Sequence, residues 1–533
     1  VKSGLLILFL VAVVVFSGCI GCPPADWKGP WPPWCDKSQV SKPSVPISAQ
    51  EGAVGVQQDV VGAKQAEPYV LDIFVEVPKN TPAHSVIFFE VLNDRGEVLH
   101  SFEMQKVGET GWHLRKSFAE FKETEIYYRY SRGNWGFVGA EEFSPDSKTA
   151  HRKATIEKEQ KEIHDNIKKW RWFPAVGQEI MQSIPTKAGS VSFVPRINSE
   201  HYQKGVLIVD FWWNNFEALL DSTHARLKSN GFEWIEIAPP WDYKQVNPGP
   251  IITNVGVGHA YTDEKLDLHL GKIKGAGFKA FVSAQICCAN IDNAAFTPEW
   301  WSAWFEQYEK YALYFADMAE KHSIDALVLS GDGVALDKKP QGYLEKLNAI
   351  YSKVRQHYHG KLGRHLFLGG TIDNIHELLP KPQEIPLAEE WDFFAVNFWT
   401  GISNTNNPTQ EELYSNVKKI FDLRLKPLYE LYKKPIVLQQ IAYSSIDGGL
   451  KGNAAVDDPN TALWEPYSDK FSLDLEEQAM GYETIMKNVA ETNYIVGTFP
   501  FTYWPDDFPL TKEYNTRGKP AEETISKWYK STG

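Results

Sequence analysis

Asp332 lies between Gly331 and Gly333, just past the apolar run Ala326-Leu327-Val328-Leu329. A short unbroken apolar run reads as a strand buried on both faces, and the glycines let the chain turn as it leaves the sheet. Asp332 is therefore expected at the C-terminal end of a parallel strand, as a catalytic carboxyl or as the cap of the next helix. Other apolar runs end on a similar set of side chains: Asp210 with Trp212 and Trp213, Trp241 with Asp242, Gln285, Asp373 with Asn374, Asn397 with Trp399, Gln440 with Tyr443, and Trp504 with Asp506 and Asp507. Indoles, amides and carboxylates with almost no cations suit a neutral polyhydroxylated ligand. Rings stack on sugar C–H faces, and amides and carboxylates bind hydroxyls.

These residues converge only if the strands are parallel and close on themselves. The runs read as strands are Val206–Phe211, Trp234–Ala238, Ala280–Ile286, Ala326–Leu329, Leu366–Leu368, Phe393–Phe398, Ile436–Ile441 and Val496–Thr502. Helical patterns separate them. Thr297-Pro298 opens one as cap and first-turn proline, and Trp301, Phe305, Tyr308, Ala312, Phe315 and Ala319 fall on one face of it. Thr409 opens another, carrying Leu413, Val417, Ile420 and Phe421. Eight strands alternating with helices predict an α/β fold, a (β/α)8 TIM barrel over 205–533, with its chemistry at the C-terminal face. No glycine-rich phosphate fingerprint follows any strand, and an open doubly wound sheet is the lesser alternative.

The 533 residues carry a net charge of −13 and show no basic stripe with interleaved aromatics, which argues against nucleic acid. The five cysteines form no paired CxxC pattern, so neither metal nor cofactor is expected. Lys2, the apolar run Leu5 to Phe16 and then Ser17-Gly18-Cys19 have the form of a signal peptide over 1–18. Phe16-Ser17-Gly18-Cys19 resembles a lipobox, which implies lipid attachment at Cys19 and an extracellular, membrane-anchored body; simple secretion and an uncleaved anchor are the alternatives. Residues 19–67, rich in proline and then in small and polar residues, read as a tether. Short strands at Val70–Val77, Val86–Leu92, Val98–Met104, Trp112–Phe118 and Glu125–Tyr130 predict an all-β sandwich over 68–157. Ile156 to Trp172, with Ile156, Ile163, Ile167 and Trp170 spaced along a charged stretch, reads as a linker helix within a 158–204 connector.

Phe74-Val75-Glu76-Val77-Pro78-Lys79-Asn80-Thr81-Pro82 and Ile126-Tyr127-Tyr128-Arg129-Tyr130-Ser131-Arg132-Gly133-Asn134-Trp135 make the sandwich resemble a starch-binding-type carbohydrate module. That family's second stacking Trp is absent from the turn Asn93-Asp94-Arg95-Gly96, leaving Trp135 as the candidate platform. Asp325-Ala326-Leu327-Val328-Leu329-Ser330-Gly331-Asp332, Lys434-Pro435-Ile436-Val437-Leu438-Gln439-Gln440-Ile441-Ala442-Tyr443 and the closing Arg517-Gly518-Lys519-Pro520-Ala521-Glu522 make residues 205–530 resemble a clan A glycoside hydrolase barrel, nearest to β-mannanase-like members.

The resemblance implies that Asp332 stands where the family has its Glu acid/base and Gln440 where it has its Glu nucleophile. The convergence of the strand ends on one mouth makes Trp212, Trp241, Asp242, Asn397, Trp399, Tyr443 and Trp504 the candidate saccharide contacts. Retaining hydrolysis needs two carboxyls roughly 5–5.5 Å apart, one of them an anion that attacks the sugar. A neutral amide cannot fill that role. Three readings follow: a hydrolase in which Asp332 pairs with Asp210, Asp242, Asp373 or Asp506 instead; a sugar receptor without hydrolysis; or a structural or adhesive barrel.

Overall fold

The computed structural model describes residues 68–531 except 95, 97, 136–137, 143–150, 179–195, 198–200, 210–215, 255–261, 288–290, 292, 334–337, 373–384, 388–389 and 455–470. The expected signal peptide, Cys19 and the tether lie outside the described residues.

The N-terminal part is a sandwich of two sheets. One sheet holds β1 (Val70–Glu76), β4 (Gln105–Val107), β5 (Gly111–Ser117) and β9 (Lys161–Asn166), in the order β4-β5-β1-β9. The other holds β2 (Phe88–Leu92), β3 (Val98–Glu103), β6 (Glu125–Trp135), β7 (Val138–Ala140) and β8 (Arg152–Thr155). Inward-facing Leu71, Ile73 and Val75 of β1 meet Phe89, Val91, Tyr128 and Tyr130 in one core.

The linker helix expected over Ile156–Trp172 does not form. β9 occupies that stretch and pairs in parallel with β1, Ile163 opposite Ile73. Ile156, Ile163, Ile167 and Trp170 all enter the sandwich core, which reaches Phe173. Ile163, Ile167 and Trp170 fit a helical face, but Ile163 also alternates with exposed neighbours Glu162 and His164. The open edge of β1 decides between the two, because it supplies ladder partners that an isolated helix lacks.

The second part is a closed barrel. Its strands are β10 (Gln203–Ile208), β11 (Trp234–Ile237), β14 (Lys279–Cys287), β15 (Ala326–Leu329), β16 (Lys361–Leu368), β17 (Phe393–Phe398), β18 (Ile436–Ile441) and β19 (Ile495–Pro500). Each pairs in parallel with the next, and β19 returns to β10. All eight expected strands are present. A hairpin of β12 (Pro240–Gln245) and β13 (Ile251–Thr253) is added beside β14.

The outer helices are α1 (Leu220–Ser229), α2 (Asp263–Gly275), α3 (Pro298–Lys321), α4 (Tyr343–His357), α5 (Gln410–Ile420), α6 (Lys426–Tyr432), α7 (Leu475–Ala490) and α8 (Pro520–Lys530). Thr297 and Thr409 cap α3 and α5 as expected, accepting from the backbone N–H groups of Trp300 and Glu412.

Strand parity separates two layers. Trp234, Phe281, Val328, Phe393, Ala395, Val437 and Phe499 fill the bore, while Ile235, Val282, Leu327, Leu362, Leu366, Phe394 and Leu438 pack toward the helices.

Candidate functional site at the strand ends

Asp332 follows β15 and is buried. Its Oδ2 accepts from Arg364 Nη1 at 2.5 Å and from the Tyr351 hydroxyl at 2.9 Å. The Tyr343 hydroxyl donates to its backbone carbonyl. Arg364, on β16, has the parity of Leu362 and Leu366, and Tyr351 belongs to α4. The carboxylate is thus anchored in the layer between strands and helices. An acid/base needs its proton free for a glycosidic oxygen, and an oxygen bound by a guanidinium and a phenol is poorly suited to that.

Gln440, near the end of β18, adopts φ 50°, and the register with β19 shifts between Leu438 and Ile441. This bulge breaks the alternation, so Gln439 and Gln440 both engage side chains of the bore. Gln440 Oε1 accepts from Asn397 Nδ2 at 2.9 Å, and its Nε2 faces Glu236 Oε1 at 3.4 Å. Gln439 Nε2 donates to the same Glu236 oxygen at 2.5 Å and to the Ser283 hydroxyl. Gln440, Gln439, Asn397, Ser283 and Glu236 are all fully buried.

Glu236, on β11, was not among the sequence candidates. Burial pushes its carboxyl up to about 8, against the hydrogen bonds from Gln439, Gln440 and Ser283. It is therefore a neutral acid at pH 7. Nearby, burial and the Arg364 guanidinium hold the His365 imidazole down to about 4, so it too is neutral. Among the described residues, the polar layer around Glu236 is therefore uncharged at pH 7.

The remaining candidates divide. Trp399 is buried in an aromatic group, its ring 5.0 Å from Phe501, 5.5 Å from Tyr514 and 6.4 Å from Phe367. Its indole Nε1 meets no acceptor among the described residues. Trp241 packs on α3 instead, 5.0 Å from Tyr314 and 5.7 Å from Tyr311. Asp242 accepts from the backbone N–H of Tyr243. Tyr443 is a core residue of the helix layer, packed on Tyr482, with its hydroxyl donating to the Thr400 carbonyl. Trp504 is buried against Phe508, and Arg517 binds its carbonyl.

Asp506 cannot serve as the second carboxyl of a dyad. It joins the sandwich to the barrel, accepting from Ser85 at 2.9 Å and lying 3.1 Å from His84 Nε2 and 3.4 Å from Arg132. Burial opposes its ionisation, but Arg132, His84 and Arg517 together hold it down to about 2. Asp210, Trp212, Trp213, Asp373 and Asn374 lie outside the described residues, as does the side chain of Trp135.

Residues 225–523 match the family model described as Glycoside Hydrolase Family 113. No curated protein matches the chain. Among solved structures, a complex of a GH113 β-1,4-mannanase is similar at 17% identity and TM-score 0.48, over 62% of this chain and 99% of that one. The GH113 β-mannanase of Alicyclobacillus acidocaldarius in complex with ManMIm is similar at 14% identity and TM-score 0.47, over 62% and 97%. A family 1 β-glucosidase of Thermotoga maritima in complex with isofagomine lactam reaches 11% identity and TM-score 0.35, over 63% and 99%.

Proposed function

This chain belongs to Glycoside Hydrolase Family 113, and from that membership we propose that it is a saccharide-binding member that has given up hydrolysis by the family's carboxylate pair. One observation carries the reading: Oδ2 of the Asp332 carboxylate is held by Arg364 and Tyr351. The amide of Gln440, which cannot form a glycosyl ester, supports it. Retention of binding is supported by the aromatic group around Trp399, whose buried indole N–H meets no acceptor among the described residues.

We propose a β-linked mannan or a related β-glycan as ligand, because the sequence resemblance to β-mannanase-like members spans the barrel. The sandwich is proposed as a carbohydrate module of the starch-binding type with Trp135 as its platform. Lipid attachment at Cys19 and an extracellular position complete the proposal, resting on the pattern of residues 2–19. No helix of the described residues is long and apolar enough to cross a membrane.

The test is incubation of the protein with a panel of α- and β-linked polysaccharides while retention in affinity electrophoresis is followed. Retardation by β-mannan supports the assignment for the barrel, and retardation by starch supports the one for the sandwich. Absence of retardation by every β-glycan rejects the barrel assignment.

A further inference from the structure

A carboxyl and an amide occupy one buried slot in the bore. Glu236 Oε1 receives Gln439 Nε2 at 2.5 Å and faces Gln440 Nε2 at 3.4 Å, and Asn397 Nδ2 holds the other end of the Gln440 amide at 2.9 Å. Glu236 Oε2 has no hydrogen-bond partner among the described residues. Among the described residues that leaves Oε2 as the oxygen on which a protonated Glu236 would carry its hydrogen.

We propose that Glu236 is the positioning residue of the strand-seven site: it and Gln440 are a matched pair in which only one of the two positions can hold a carboxyl group. The contact geometry gives the reason. A side-chain oxygen in place of Gln440 Nε2 would stand about as close to Glu236 Oε1 as that nitrogen does. Two acceptors would then face each other with no donor between them, unless a proton were shared. Asn397 would still donate from the far side, but the groups facing Glu236 from β14 and β18 are Ser283, Gln439 and Gln440, none of them a cation. Among the described residues nothing there neutralises a second charge. The raised titration of Glu236 fits the same picture, since burial dominates it and no neighbouring charge contributes. Restoring the family nucleophile thus requires a change at 236 as well as at 440.

The test is a thermal-unfolding cycle on the full chain with wild type, E236Q, Q440E and E236Q/Q440E at pH 5.5 and pH 8.5. Q440E is expected to melt below wild type by about 5 °C or more at pH 8.5. The gap should narrow at pH 5.5, where both carboxyls keep their protons. The double variant exchanges the two groups and is expected to regain most of the loss at pH 8.5. An equal loss for Q440E at both pH values, or losses that simply add in the double variant, overturns the pairing. If Q440E yields no folded protein, the double variant decides: recovery of a cooperative transition supports the pairing, and its absence overturns it. Unfolding is followed without ligand, so the outcome is independent of saccharide binding.

Discussion

A buried carboxylate stabilises a fold only while its partner stays, and Asp332 with Arg364 is such a pair. Asp332→Asn leaves the guanidinium buried without its counter-charge, which costs about 3–5 kcal/mol. Chemical denaturation of the variant should show that loss. Glu236 makes the opposite kind of contribution. Its folded value of about 8 lies above an unfolded value of about 4.3. Its stabilising effect is therefore complete below the unfolded value and is lost as pH rises toward 8, at up to about 1.4 kcal/mol per pH unit. Glu477 and Glu513, each raised by burial to about 7, add slopes of the same sign. Asp506, held down to about 2, adds one of opposite sign that acts only below its unfolded value near 3.9. Stability measured from pH 5 to 8 should fall, and in Glu236→Gln it should fall less steeply. An unchanged slope would show that Glu236 is already ionised in the fold.

The elements were more legible than the side chains they aim. Apolar runs such as Ala326–Leu329, Phe393–Phe398 and Ile436–Ile441 coincide with β15, β17 and β18 because strands buried on both faces have no polar alternation to blur their ends. Asp332 could be placed after β15, but its direction depends on Arg364 of the next strand, a contact set by register across 32 positions. Glu236 sits inside the short run Trp234-Ile235-Glu236-Ile237, where the sequence marks it only as a strand residue. Its inward parity with Trp234 was the available signal. The bulge at Gln440 was not readable, since neither a glycine nor a proline marks it. β9 carries an apolar spacing that fits both the helix and the strand period. Its role in the sandwich predicts that Ile163→Ala costs about 2–5 kcal/mol, as for a core position. In an isolated linker helix the same change would cost a fraction of that, and denaturant midpoints separate the two.

At the scale of the whole molecule, sandwich and barrel share a buried ionic contact. Arg132, with no solvent exposure, lies 4.5 Å from the rings of Phe173 and of Phe508 and donates to the Asp507 carbonyl at 2.8 Å. Arg517 and Arg226 bind the Asp507 carboxylate from the barrel side. Such a junction couples the two bodies. Arg132→Ala should lower stability by about 3–5 kcal/mol and split one calorimetric transition into two. A single transition at unchanged temperature would show that the junction carries no coupling.

The central claim is that the family's carboxylate pair no longer works in this barrel, and the most direct measurement is release of reducing ends from β-1,4-mannan by the wild-type protein beside Asp332→Asn. The proposal predicts no release above blank from either protein, because Arg364 and Tyr351 hold Oδ2 of Asp332, the proposed acid position, and Gln440, the proposed nucleophile position, is an amide. Steady release by the wild type that disappears in Asp332→Asn would contradict the account.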